Sequence, residues 1–128
     1  MATLKDLRAD LAEILGAGDV PAFPHLPERL TPPVQLLEPG SPYITDAGED
    51  LTFGEVEVAY DVTLVVRPGT SAAQTAALDE LVQTVVELVD ATPWFVRDVE
   101  QPFALVLPDQ STYLATRVRV TTPTTLTT

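Results

Sequence analysis

The sequence contains no cysteine, one histidine, one tryptophan and one methionine among its 128 residues. Without cysteine there is no disulfide framework, no thiolate nucleophile and no cysteine-ligated zinc. A lone histidine cannot build a multi-histidine metal site, and it leaves a histidine-based triad without support. Basic residues are also scarce: seven Lys+Arg stand against nineteen Asp+Glu, a formal net charge of −12 with a sequence pI near 4.1. Adhesion to a nucleic-acid backbone needs clustered Lys and Arg, so that function class is disfavoured. No apolar run approaches the roughly 20 residues of a membrane helix. The first residues lack the basic segment, apolar core and small-residue cleavage site of a signal peptide. The expectation is a protein that works where it is made, with no membrane partner.

What is present is enough to fold. Hydrophobic residues make up 45% of the chain and charged residues 20%, and the apolar ones recur at the spacings of secondary structure, unlike those of a disordered acidic chain. The length suits one domain, expected over residues 1–123. Residues 124–128 have nothing to bury and are expected to fray.

Leu4, Leu7, Leu11, Ile14 and Leu15 lie at helical spacing with charged residues between them, which predicts an amphipathic helix over residues 3–15. Thr3 is its expected N-cap, with Asp6 three residues on. Five prolines between Pro21 and Pro33 then forbid a helix. His25, in Phe23-Pro24-His25-Leu26-Pro27, reads as an incidental loop histidine. Residues 34–38 predict a short strand ended by a Pro39-Gly40 turn, and residues 41–54 a long polar loop. The acids of that loop do not meet the alternating oxygen pattern of an EF-hand, so no metal is expected there.

The strongest pattern follows. Val56, Val58, Tyr60, Val62, Leu64 and Val66 alternate with Glu55, Glu57, Ala59, Asp61, Thr63 and Val65, which predicts a long strand with one buried face. Arg67-Pro68-Gly69-Thr70 turns the chain, and Ser71-Ala72-Ala73-Gln74 reads as a capping box opening a second helix. Its apolar stripe is Leu78, Leu81, Val82, Val85, Leu88 and Val89, and Thr92-Pro93 ends it. Three strands follow: residues 94–100, then 103–107 and 112–122 joined by a Pro108-Asp109-Gln110-Ser111 turn. The predicted fold class is α+β, a mostly antiparallel sheet with two amphipathic helices packed on one face.

No phosphate-binding loop, dinucleotide fingerprint, nucleophile elbow or zinc-protease motif is present. Glu55 and Glu57 share one strand face, but a carboxylate pair on an open sheet face reads as solvated surface rather than as an acid/base pair. The chain is therefore read as a non-enzyme, with no catalytic residue and no cofactor. The unusual feature is the sorting of charge by strand. Glu55, Glu57 and Asp61 line the polar face of one strand, and Arg117 and Arg119 line that of another. Either these strands pair and the charges meet within one sheet, or Arg117, Arg119 and Asp61 form a subunit interface and set its register.

Three stretches bring the chain close to a known family. They are Pro32-Pro33-Val34 through Glu38-Pro39-Gly40-Ser41-Pro42-Tyr43-Ile44; the long strand leading into Arg67-Pro68-Gly69-Thr70 and the second helix; and Ser111-Thr112-Tyr113-Leu114-Ala115-Thr116-Arg117-Val118-Arg119-Val120-Thr121-Thr122-Pro123. With these the chain resembles the tail terminator proteins of long-tailed, siphovirus-type bacteriophages, over most of its length. The resemblance implies a structural virion protein, without enzyme chemistry, that is made in the host cytoplasm and joins the phage tail. Six copies would form a ring on the head-proximal end of the tail tube. That ring stops tube polymerisation and offers a docking surface to the head-tail connector proteins. Its partners would be further copies of itself, the tail tube protein and the connector, with DNA passing through unbound. An acidic bore suits such passage, because fixed cations would hold phosphates. Asp46, Glu49, Asp50, Glu55 and Glu57 are the acids expected to face it. A head-completion or connector adaptor protein is the nearest alternative, and an acidic mimic of DNA that blocks a DNA-binding protein is the alternative from a different class.

Overall fold

The computed structural model describes residues 3–25, 27, 30–46, 55–107 and 110–125, and of Asp46 the backbone alone. Helix α1 (Leu4–Leu15) opens at Thr3, whose hydroxyl accepts from the Asp6 amide at 3.1 Å. This is the expected cap. A two-residue strand β1 (Ala22–Phe23) follows, and then come β2 (Val34–Asp46), β3 (Glu55–Val65), helix α2 (Ser71–Asp90), β4 (Phe95–Val99), β5 (Phe103–Val106) and β6 (Thr112–Thr125). They form one sheet in the order β1-β2-β3-β6-β4. Strand β5 pairs with β6 beyond β4, so β4 and β5 share one edge. Every pairing is antiparallel except β1 with β2. The fold is thus α+β with a mostly antiparallel six-stranded sheet and two helices. No helix among the described residues is long and apolar enough to cross a membrane.

One main core joins both helices to one sheet face. Leu11 and Leu15 of α1 and Leu78, Leu81, Val85 and Val89 of α2 meet Val58, Tyr60, Val62 and Leu64 of β3 and Val118 and Val120 of β6. These are the stripes that the 3.6- and 2-residue periods marked out. Each fully buried aliphatic side chain contributes about 1.5–3 kcal/mol of transfer free energy. Polar contacts on the same side fix α1 on the sheet. Trp94 Nε1 donates to Asp10 Oδ2 at 3.2 Å, and the Tyr43 and Tyr60 hydroxyls lie 2.8 Å apart. Tyr60 Oη also donates to the Leu4 carbonyl at 3.4 Å. Burial pushes the Tyr60 phenol up to about 12, and the hydrogen bond with Tyr43 adds to the shift while Arg8 opposes it. His25 accepts at Nδ1 from Arg8 Nη1 at 3.4 Å, on the surface.

Several expectations are corrected. Pro39-Gly40 does not end a strand: β2 runs on to Asp46, and its pairing with β3 shifts register between Pro39 and Ile44. Residues 41–46 are therefore strand rather than loop, while 47–54 lie outside the described residues. A Cβ on Gly40 would stand 2.8 Å from the Ala59 Cβ and 3.0 Å from its carbonyl oxygen. The glycine is needed here for close approach between strands, and the proline-glycine pair imitated a turn. Helix α2 is capped one residue earlier than expected, by Thr70, whose hydroxyl accepts from the Ala73 amide at 3.1 Å. The Gln74 side chain reaches back to the Gly69 carbonyl at 2.7 Å instead of closing a capping box. Strand β6 extends to Thr125, because Thr124 and Thr125 pair with Val56 and Glu55, so these two are not frayed. Residues 126–128, and Pro108 and Asp109 of the expected turn, lie outside the described residues. The second face of β3 is not wholly polar either. Ala59, Thr63 and Val65 are buried, and Val65 joins Val34, Leu36 and Ala115 in a smaller core packed by Phe23, Phe103 and Leu105. As the central strand, β3 is covered on both sides at this end.

Candidate functional site

Away from the helices the sheet presents a face on which charges are laid out by register. Across four strands Glu38 stands opposite Asp61, Asp61 opposite Arg119, and Arg119 opposite Asp98. One guanidinium therefore sits in a row with three carboxylates. Arg119 Nε donates to Asp61 Oδ1 at 3.3 Å and Nη2 donates to the Ser41 carbonyl at 2.7 Å. The second of these reaches into β2 where its register shifts, so the side chain spans three strands.

Two further ion pairs flank this row. Arg97 Nη2 donates to Glu57 Oε2 at 3.0 Å while its Nε donates to Thr121 Oγ1 at 2.9 Å. It can do so because the β4–β6 register shifts between Val96 and Asp98. The extra residue is a bulge that carries Arg97 onto the open face, beside Phe95; its guanidinium lies 5.7 Å from that ring's centroid. Arg117 Nη1 reaches Glu100 Oε2 at 3.4 Å and lies over the Phe103 ring, 4.8 Å from the centroid. The three pairs are partly exposed, with Arg97 half in solvent. Exposed pairs of this kind are each worth about 0.2–1 kcal/mol.

Three of the seven basic residues are thus gathered on one face and its β4 edge. The same edge exposes Phe95, Val99 and Val106. Charged and aromatic groups of this kind, side by side on an open sheet edge, are equipped for contact with another protein surface.

Asp61 and Arg119 are brought together within the chain, the in-sheet alternative. Arg117 is not with Asp61: its partner across β3 is Thr63, and its charge goes to Glu100. Glu57 is paired with Arg97, so Glu55 and Glu57 sit in different surroundings on their shared face. Glu55 shares their face and has no side-chain partner among the described residues. The side chain of Asp46, with Glu49 and Asp50, lies outside the described residues. Arg97 and Glu100 also belong to this face, beyond the residues expected from the sequence. The Arg97-Asp98 doublet breaks the alternation of a strand, and the pairing with β6 makes that break a bulge.

On the helix side, a pocket of about 360 Å³ lies between the end of α1 and α2, walled by Leu15, Val20, Val66 and Leu81, with Arg67 among its lining residues. Gln35 also lines it. Its Nε2 donates to the Leu15 and Val20 carbonyls at 3.0 and 3.1 Å, which holds the chain after α1 against β2. Its Oε1 is buried with no hydrogen-bond partner among the described residues. Among those residues no group of His, Cys, Asp and Glu is arranged to hold a metal ion. Compared with protein families and with curated proteins, the chain matches no family model and no curated protein.

Proposed function

We propose that this protein is a structural subunit of a phage tail, a tail terminator that closes into a ring on the head-proximal end of the tail tube. There the ring stops tube growth and offers the connector a docking surface. The observation that carries the reading is the two-sided build of the sheet. Two helices seal one face, and the other holds Glu57–Arg97, Asp61–Arg119 and Glu100–Arg117 in register beside exposed Phe95. Charges fixed by strand register make a patterned surface, and patterned charge selects partners and excludes wrong ones. The resemblance in residues 32–44, in the long strand leading into residues 67–70 and the second helix, and in residues 111–123 supplies the rest: sixfold ring, tail tube, connector and DNA passage. An overall charge of −12 per copy suits a passage through which DNA slides without sticking. Glu55, the acid of β3 with no partner among the described residues, is assigned to the bore.

The test is absolute mass by light scattering during size exclusion, over a range of protein concentration, salt and magnesium, with images of any large species. A closed particle near six times 13.8 kDa with a central hole is the expected result. A monomer under every condition, competing with DNA for a basic protein, would replace the ring with the acidic DNA mimic.

A further inference from the structure

The pocket of about 360 Å³ between the end of α1 and α2 has room for far more than one water, whose share of volume is about 30 Å³. Its floor is apolar and buried, built from Leu15, Val66 and Leu81. The segment after α1 forms one side. A Cβ on Gly18 would stand 3.6 Å from Thr84 Cγ2 and 3.7 Å from Leu88 Cδ1, so this segment passes close against α2 there. Gln35, 1% exposed, completes the wall and holds the segment on β2 through Nε2, which donates to the Leu15 and Val20 carbonyls. Those two bonds use both amide protons. They leave Oε1 a buried acceptor with no partner among the described residues. Buried acceptors are almost always paired, so an unpaired one on a residue that walls a pocket marks a place for a donor. The rim selects no charge: exposed Arg67 stands there with exposed Asp19 and Glu80, and none of the three makes an ion pair among the described residues.

We infer that this pocket binds a neutral aromatic group whose one polar function is an N–H, the chemistry of an indole, with that N–H donating to Gln35 Oε1. The inference stands apart from the ring proposed above. Apolar cavities of proteins take up aromatic molecules, and a few placed polar groups orient them. Here Gln35 offers one acceptor and, with both Nε2 protons spent, no donor. An indole is a donor only, so it satisfies that acceptor and brings no lone pair in need of a donor of its own. A carboxylate, an amide or an alcohol would bring one. Such a group reaches the pocket as a free small molecule or as the tryptophan side chain of another protein. A second copy of this chain does not supply it, because Trp94 is 3% exposed and packed in the core.

Titrating the 15N-labelled chain with indole and with N-methylindole, nearly equal in size but without the N–H, reads the pairing directly. Indole should move the amide signals of residues 18–20, 35, 66–67 and 77–84, and N-methylindole should bind about tenfold more weakly. Ala77→Phe, which fills the pocket from an exposed position on α2, should abolish binding of both while the helical circular-dichroism signal is retained. Gln35→Met should bring the two ligands to equal affinity, and should that variant fail to fold, the two ligands on the native chain decide the matter. N-acetyltryptophanamide separates the sources: affinity equal to or above that of indole supports an inserted tryptophan, and weaker binding supports a free molecule. Equal affinity of the native chain for indole and N-methylindole overturns the role of Gln35, and the inference with it. Shifts that fall elsewhere or survive Ala77→Phe overturn it too, as does an absence of binding at millimolar indole.

Discussion

Asp61 and Arg119 are cross-strand partners on β3 and β6, and Arg119 holds Asp61 at 3.3 Å while also donating to the Ser41 carbonyl of β2 at 2.7 Å. Asp61 has a second carboxylate, Glu38, on its other side, and Arg119 has Asp98 on its own. The guanidinium therefore stands between Asp61 and Asp98, while Glu38 and Asp61 face each other directly.

Replacing Arg119 with Met should destabilise the fold by more than replacing Asp61 with Asn, since it also leaves the Ser41 carbonyl without its donor, a loss of about 1 kcal/mol. A double-mutant cycle by urea unfolding should return a coupling of about 0.2–1 kcal/mol between the two. Added salt should recover part of the Arg119→Met loss by screening the remaining acids. A coupling of zero would mean that register alone, not attraction, sets the two side by side.

Thr70 and Ser71 separate the two readings of the α2 start. Thr70→Ala removes the hydroxyl that accepts from the Ala73 amide and should cost about 1 kcal/mol. Ser71→Ala replaces an exposed first-turn residue and should stay within about 0.5 kcal/mol of the native chain. Thermal or urea unfolding of the pair decides it, and the reverse order would return the cap to Ser71.

Gly40→Ala drives a methyl to within 2.8 Å of the Ala59 Cβ and 3.2 Å of its carbonyl carbon. Backbone cannot swing aside as a flexible side chain can, so a loss of about 1–3 kcal/mol is expected. Gly69→Ala is the control. Its new Cβ meets only the Ala73 Cβ, at 3.9 Å, and unfolding should register little change.

Tyr60 sets an alkaline limit. Its phenol, pushed by burial from 10.0 up to about 12, keeps its proton in the folded chain over a window where the unfolded chain has lost it. The stabilisation is complete below pH 10 and is lost as the pH rises toward 12. Unfolding midpoints followed across this window should fall with pH, and Tyr60→Phe should remove that part of the slope. The Phe variant should also lose about 1 kcal/mol at neutral pH through the missing bond to Tyr43. A native midpoint that is flat across the window would place the Tyr60 hydroxyl in solvent.

Where local periodicity and local chemistry act alone, this sequence can be read directly. The stripes of α1 and α2, the alternation of β3, the Thr3 cap and the hairpin between β5 and β6 each depend on residues a few positions apart, and each follows from helix or strand spacing. The sequence also showed that acid and base were sorted by strand. It did not determine which acid meets which base. That depends on the β3–β6 register, which brings residues 58 apart in the chain into contact at Asp61 and Arg119. Nor did it reveal that Arg97 belongs to the open face, because a bulge forms only where a partner strand is present to be bulged against. Pro39-Gly40 imitated a turn, for the same reason. A glycine's local preference is permissive, and the close approach of Ala59 across the sheet decides how that freedom is used.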